Sequence, residues 1–157
     1  MVLAIDTGTT ESGYCLFDNE GKPIEFGKLE NEAILVMIET FCLGYDVPEM
    51  VVEQFRSYGM GIGQTTIDAI EWNGRFIQKA DEFRVNTHYV TRKDEKMNLC
   101  HSMKANDATI KRALKDRYGE PGTKKNKGIL YGISKDAWSA LAVGTTYLDI
   151  KEGRYTP

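Results

Sequence analysis

Apolar and polar positions alternate along the chain in a way that predicts a mixed α/β sheet. Val2 to Asp6 is a short β-rich apolar run stopped by Gly8, which reads as a buried strand. Gly13 to Phe17 reads as a second strand, and Asn19-Glu20-Gly21-Lys22 as the hairpin turn after it. Ile24 to Leu29 completes a three-strand antiparallel meander. Asn31 is the expected cap of a helix running to about Leu43, since Ile34, Met37, Ile38 and Phe41 recur at helical spacing and Gly44 follows. After Pro48, Met50-Val51-Val52 leads into Glu53 as a fourth strand.

Downstream, Arg56 to Gly63 carries three glycines and reads as a mobile loop. A long helix is predicted from Gln64 to about Asp81, with Ile67, Ile70, Phe76 and Ile77 among its apolar positions. Arg84 to Thr91 is the expected fifth strand. Ala105 to Tyr118 is the next predicted helix, and Ser134 is the expected cap of a last helix reaching about Leu148. The irregular stretch 119–132 between them contains Lys124, Lys125 and Lys127. Irregular stretches of that length in a small domain often serve function.

The 157 residues fit one domain, 1–157, with no repeat and no linker. An apolar share of 41% and a charged share of 27% belong to a folded globule rather than a disordered chain. No charged leader with an apolar run precedes the first strand. The longest strongly apolar stretch, Ala33 to Ile38, is too short to cross a bilayer, so a cytoplasmic protein with no membrane partner is expected. Three cysteines lack C-x-x-C spacing and read as buried thiols; the pair Cys100-His101 is too small a set for a metal site. The net charge of −3 argues against a protein that coats nucleic acid unspecifically. Positive charge nevertheless gathers in 84–104 and 111–127, so one face is able to be basic.

Three carboxylates occupy unusual places. Asp6 and Glu53 each close an apolar strand, and Asp136 lies in the first turn of the last helix. Taken singly they read as a turn residue, a paired surface acid and a helix-dipole partner. Taken together they form a candidate set of hard oxygen ligands for Mg²⁺ or Mn²⁺, because ligands gather beyond the carboxyl ends of strands in open α/β sheets. Metal-assisted phosphodiester hydrolysis needs such a set and no Ser-His or Cys-His pair.

These residues carry a resemblance to RuvC-type Holliday junction resolvases. Ala4-Ile5-Asp6-Thr7-Gly8 with Ser12-Gly13-Tyr14 resembles the family's first motif. Val51-Val52-Glu53-Gln54-Phe55 resembles the second, and Asp136-Ala137 followed by Ser139-Ala140-Leu141-Ala142-Val143 the last. The size and the looseness of the match resemble a phage version, which would act in the host cytoplasm. The resemblance implies an RNase H-like fold: a central mixed five-stranded sheet, three antiparallel strands and then parallel ones, flanked by helices. It implies a homodimer that nicks four-way DNA junctions with Mg²⁺ or Mn²⁺, with Asp6, Glu53 and Asp136 as catalytic metal ligands. The helix from Gln64 to Asp81 is then the expected dimer surface. The family's fourth ligand lies three residues from the last aspartate, where this chain has Ile133 on one side and Ser139 on the other.

Phe55 and Tyr58, just after the glutamate, are candidates for stacking beside DNA bases; Phe55 equally suits a core. Lys124, Lys125, Lys127 and Lys135 are candidate phosphate contacts or ordinary solvated charges. Other readings stay open: a nuclease acting on flaps or other branched DNA, or a DNA-binding relic without catalysis. Asp6-Thr7-Gly8-Thr9-Thr10 also resembles the phosphate loop of sugar kinases and actin-like ATPases, although those proteins need a second lobe to close over a nucleotide.

Overall fold

A computed structural model describes every residue of the chain except Asp46, Tyr58 and Met60. Its centre is one sheet of strands β1 (Val2–Asp6), β2 (Glu11–Phe17), β3 (Pro23–Glu30), β4 (Glu49–Glu53) and β5 (Asn86–Val90). The spatial order is β3-β2-β1-β4-β5. The β1–β2 and β2–β3 pairs are antiparallel, whereas β1–β4 and β4–β5 are parallel. This is the mixed five-stranded arrangement expected of an RNase H-like chain.

Among the described residues, five helices flank the sheet: α1 (Asn31–Gly44), α2 (Gln64–Glu82), α3 (Arg92–Cys100), α4 (Asp107–Tyr118) and α5 (Lys135–Lys151). Side chains of a strand alternate between faces, and the core divides accordingly. Leu3, Ile5, Leu16, Met50 and Val52 face α1 and α2. Val2, Ala4, Cys15, Phe17 and Val51 face α4 and α5. The face under α5 is unusually tight. A Cβ added at Gly144 would collide with the Phe17 ring and stand 2.9 Å from the Ala4 Cβ, so only glycine lets α5 lie this close to the sheet.

Two local expectations are corrected. Asn31 does not cap α1: it is the first helical residue, Glu30 precedes it as cap, and no side-chain cap bond forms. The Asn31 amide is buried instead, accepting from the Ser12 hydroxyl at 2.6 Å and donating to the Gly8 carbonyl at 3.0 Å. It therefore ties the β1–β2 turn to the helix. The second correction is α3, a helix the hydrophobic pattern does not announce. Its nine residues, RKDEKMNLC, are mostly polar, and the periodicity rule reads such a run as surface. What starts it is a capping box: Thr91 accepts from the Asp94 amide, and Asp94 accepts from the Thr91 amide at 2.9 Å. His101 ends it in the left-handed conformation. Ser134 stands at the expected cap position of α5 but makes no side-chain cap bond.

Candidate active site

Parallel pairing brings the first two acids together. Ile5 pairs with Val52 across β1 and β4, and the next residue on each strand is an acid, Asp6 and Glu53. Asn73 of α2 fastens the two strand ends. It accepts from the Thr7 hydroxyl at 3.0 Å and donates to the Glu53 carbonyl at 3.3 Å.

On the other side of β1, Asp6 pairs with Gly13 of β2. A Cβ at Gly13 would collide with the backbone carbonyl of Asp136 and stand 3.2 Å from the Ala137 amide nitrogen. The bare glycine thus seats the first turn of α5 on the strand and places Asp136 beside Asp6. Three acids far apart in sequence reach one end of the sheet, as the strand-end argument expects.

They are not equivalent. Burial, then the charge of Glu53 and a hydrogen bond to it, push the Asp6 carboxyl up from 3.8 to about 7; Asp136 adds to the effect. Burial also raises Glu53, against the pull of Arg92 and of the Asp6 hydrogen bond. Asp6 and Glu53 are therefore a carboxyl pair that favours keeping a proton between them. Asp136 stands apart from that pair. Its carboxylate lies 2.9 Å from the Lys28 ammonium, which also reaches Glu11 at 2.7 Å. The cup expected from the sequence is thus drawn open on one side by a lysine of β3. Among the described residues, no three His, Cys, Asp or Glu side chains stand together as a ready-formed metal cluster.

Two hollows flank Asp136. One, of about 210 Å³, is lined by Asp6, the turn Gly8 to Glu11, Gly13 and Lys28. The other, also about 210 Å³, is lined by Arg92, Lys111, Lys135, Asp107, Ser139 and Trp138 among others. Lys135 accordingly sits at the site, whereas Lys124, Lys125 and Lys127 are exposed in the loop before α5 and line neither hollow. Lys127 lies over the Tyr131 ring at 5.0 Å. Phe55 is half-buried just past β4 and joins neither core cluster. Tyr58 lies outside the described residues. Ser139 is half-buried on the rim, and Ile133 packs against the core, so neither brings a charge.

The structure adds two residues that sequence reasoning missed. Arg92 opens α3, donates to Glu95 at 2.6 Å and also binds Asp107. Glu95 is 1% exposed, and burial, followed by the charge of Glu53, pushes its carboxyl up to about 8. The Thr91-x-x-Asp94 capping pattern is the sequence signal that finds α3, and hence both residues.

Comparison with solved structures decides the fold. RuvC of T. thermophilus in complex with a Holliday junction substrate superposes with a TM-score of 0.76 at 13% identity, over 98% of this chain and 95% of that one. The chain has the RuvC fold. A second Thermus thermophilus RuvC structure gives 0.72 at 15% identity, over 97% and 96% of the two chains. The yeast mitochondrial Holliday junction resolvase gives 0.56 at 15% identity, over 98% of this chain and 80% of that one. No family model matches the sequence, and no curated protein matches it by sequence. In this RuvC fold, Asp6, Glu53 and Asp136 come from β1, β4 and α5, the three elements joined at the sheet's carboxyl end.

Proposed function

We propose that the chain is a divalent-metal-dependent endodeoxyribonuclease that nicks four-way DNA junctions, with Asp6, Glu53 and Asp136 holding Mg²⁺ or Mn²⁺. The observation that carries this reading is the Asp6–Glu53 carboxyl pair at adjacent strand ends beside Asp136. Two carboxyls raised by burial, one of them also by the charge of the other, are stabilised by a cation, and an all-oxygen donor set suits a hard one. The RuvC fold supports the substrate, since a neighbour with that fold is a complex with a Holliday junction.

Bound there, a divalent ion would supply an activated water and stabilise the leaving oxygen. The protein's own groups do the positioning. Asn73 keeps β1 and β4 at a fixed spacing, and Gly13 keeps α5 against them. Arg92, Lys111 and Lys135 offer positive charge in the hollow beside Asp136, where the DNA backbone would pass. Lys28 balances Asp136 and Glu11 until a stronger cation competes for them.

The test is cleavage of labelled four-way junction, flap and linear duplex in Mg²⁺, Mn²⁺ or chelator. The junction should be nicked with either metal and spared in chelator. Asp6→Asn should lose nicking by a factor of at least about 10³, a loss of roughly 4 kcal/mol of transition-state stabilisation, and still bind the junction. Undiminished nicking by Asp6→Asn, or in chelator, would remove the metal site. Preference for the flap would keep the chemistry and change the substrate.

A further inference from the structure

The strand register puts a positive charge in line with Asp6. Asp6 pairs with Gly13 across β1 and β2, and Gly13 pairs with Lys28 across β2 and β3. Residues directly opposite one another point to the same face of a sheet, so Asp6 and Lys28 share the face that α5 covers, two strand spacings or about 10 Å apart along the backbone. Gly13 between them has no side chain, and the first turn of α5 takes that space. The Lys28 ammonium reaches across it to the Asp136 carboxylate at 2.9 Å. Glu11 of β2 holds the same ammonium at 2.7 Å, and Lys28 lines one hollow together with Asp6 and Asp136.

Stability does not account for this arrangement. The Lys28, Glu11 and Asp136 side chains are 36%, 48% and 36% exposed, and ion pairs so open to water add little. Chemistry gives the position a use. In phosphodiester hydrolysis a water oxygen bonds to phosphorus, the bond to the leaving oxygen breaks, and the water's proton passes to the products. Negative charge on the phosphate oxygens has to be met meanwhile, a task that a second metal shares in two-metal sites. Here Ile133 and Ser139, three residues to either side of Asp136, bring no charge with which to hold a second ion. We infer that the Lys28 ammonium contacts a non-bridging oxygen of the phosphate being cut, in the hollow it shares with Asp6 and Asp136, and supplies the charge of a second cation. It transfers no proton. Lysine suits the task, being a compact charge with three donors on a flexible stem. Glu11 keeps the ammonium at the site when Asp136 engages an ion, and so is a positioning residue. The inference rests on the reading of Asp6, Glu53 and Asp136 as the metal site of a nuclease.

Lys28→Met tests it, with two readings on one preparation: the rate of junction nicking with protein in excess and Mn²⁺ saturating, and Mn²⁺ affinity by calorimetric titration. Nicking should fall about 10²-fold or more, the usual effect of losing a charge-stabilising donor. Mn²⁺ binding should stay as tight or become tighter, because an ammonium no longer competes for Asp136. Lys28→Arg, which keeps the charge, should nick faster than Lys28→Met. Nicking by Lys28→Met within about threefold of wild type would make Lys28 a mere counter-ion and overturn the inference, while the proposed function would stand. A loss of Mn²⁺ affinity that accounts for the loss of nicking would also overturn it, since Lys28 would then only place Asp136. If wild type neither binds Mn²⁺ nor nicks, both readings fall. β3 is an edge strand and Lys28 is partly open to water, so the variants should fold; melting temperature checks this, and Lys28→Gln serves if Lys28→Met melts early.

Discussion

Asp6 keeps a proton near neutrality because it is buried next to Glu53, and Glu95 does so because it is buried with half of its carboxylate unserved. Both carboxyls are raised on folding, to about 7 and about 8 from ordinary values of 3.8 and 4.5. The native chain therefore holds protons that the unfolded chain has already released above pH 5. The sign follows: stability from these groups is fully present below about pH 4 and is lost as the pH rises through 7 to 8. In chelator, the unfolding free energy should fall by several kcal/mol between pH 5 and pH 8, at about 1.4 kcal/mol for each pH unit over which a raised carboxyl keeps its proton. Asp6→Asn combined with Glu95→Gln should flatten that slope. Urea unfolding across the pH range checks it, and an unchanged slope in the double variant would place the titration elsewhere. Saturating Mg²⁺ should reduce the slope in wild type, since the ion takes the proton's place on Asp6.

The elements that carry the site differ in how far their sequences disclose them. β1 and β4 are legible because each is an apolar run ended by an acid, and α5 because Asp136 precedes a block of small and apolar residues. Their meeting point is less so. It depends on Gly13, whose missing side chain admits the carbonyl of Asp136, and a glycine in a strand gives no sign of what approaches it. Gly13→Ala should force α5 outward and cost about 1–3 kcal/mol, the usual range for overpacking. Nicking should fall more steeply than stability, because Asp136 moves with the helix. A melting curve and a cleavage rate on the same preparation check both, and wild-type nicking would show that α5 tolerates the shift. α3 is illegible for the opposite reason. Its buried face is Asp94 and Glu95, and pattern reading assigns charged residues to solvent. Asn31 reads as a cap because a cap and a buried bridging amide suit the same sequence position; its bonds to Ser12 and Gly8 make it the bridge.

For the whole molecule, the proposed two-fold substrate asks for two sites, and among the described residues one chain brings Asp6, Glu53 and Asp136 to one place. The face of α2 turned to the core carries Ala69, Asn73, Phe76 and Ala80. Its other side leaves Ile67 and Ile70 each 40% exposed, one turn apart, with open space above Gly74 one turn further on. Trp72 lies beside this stripe with the Arg75 guanidinium 3.9 Å from its ring. Two such stripes packed about a symmetry axis would bury both, and an isologous contact needs no other surface. The proposed nuclease should therefore be a dimer in solution at tens of micromolar, and Ile67→Glu with Ile70→Glu should make it monomeric with its helix content intact. Light scattering after size exclusion reads the mass and circular dichroism the fold. The monomer should still nick one strand of a junction, because Asp6, Glu53 and Asp136 all come from one chain, but paired symmetric nicks should be lost. A wild-type monomer, or a double variant that still pairs, would move the interface off α2. A monomer that still resolved junctions into linear duplexes at the wild-type rate would separate resolution from pairing altogether.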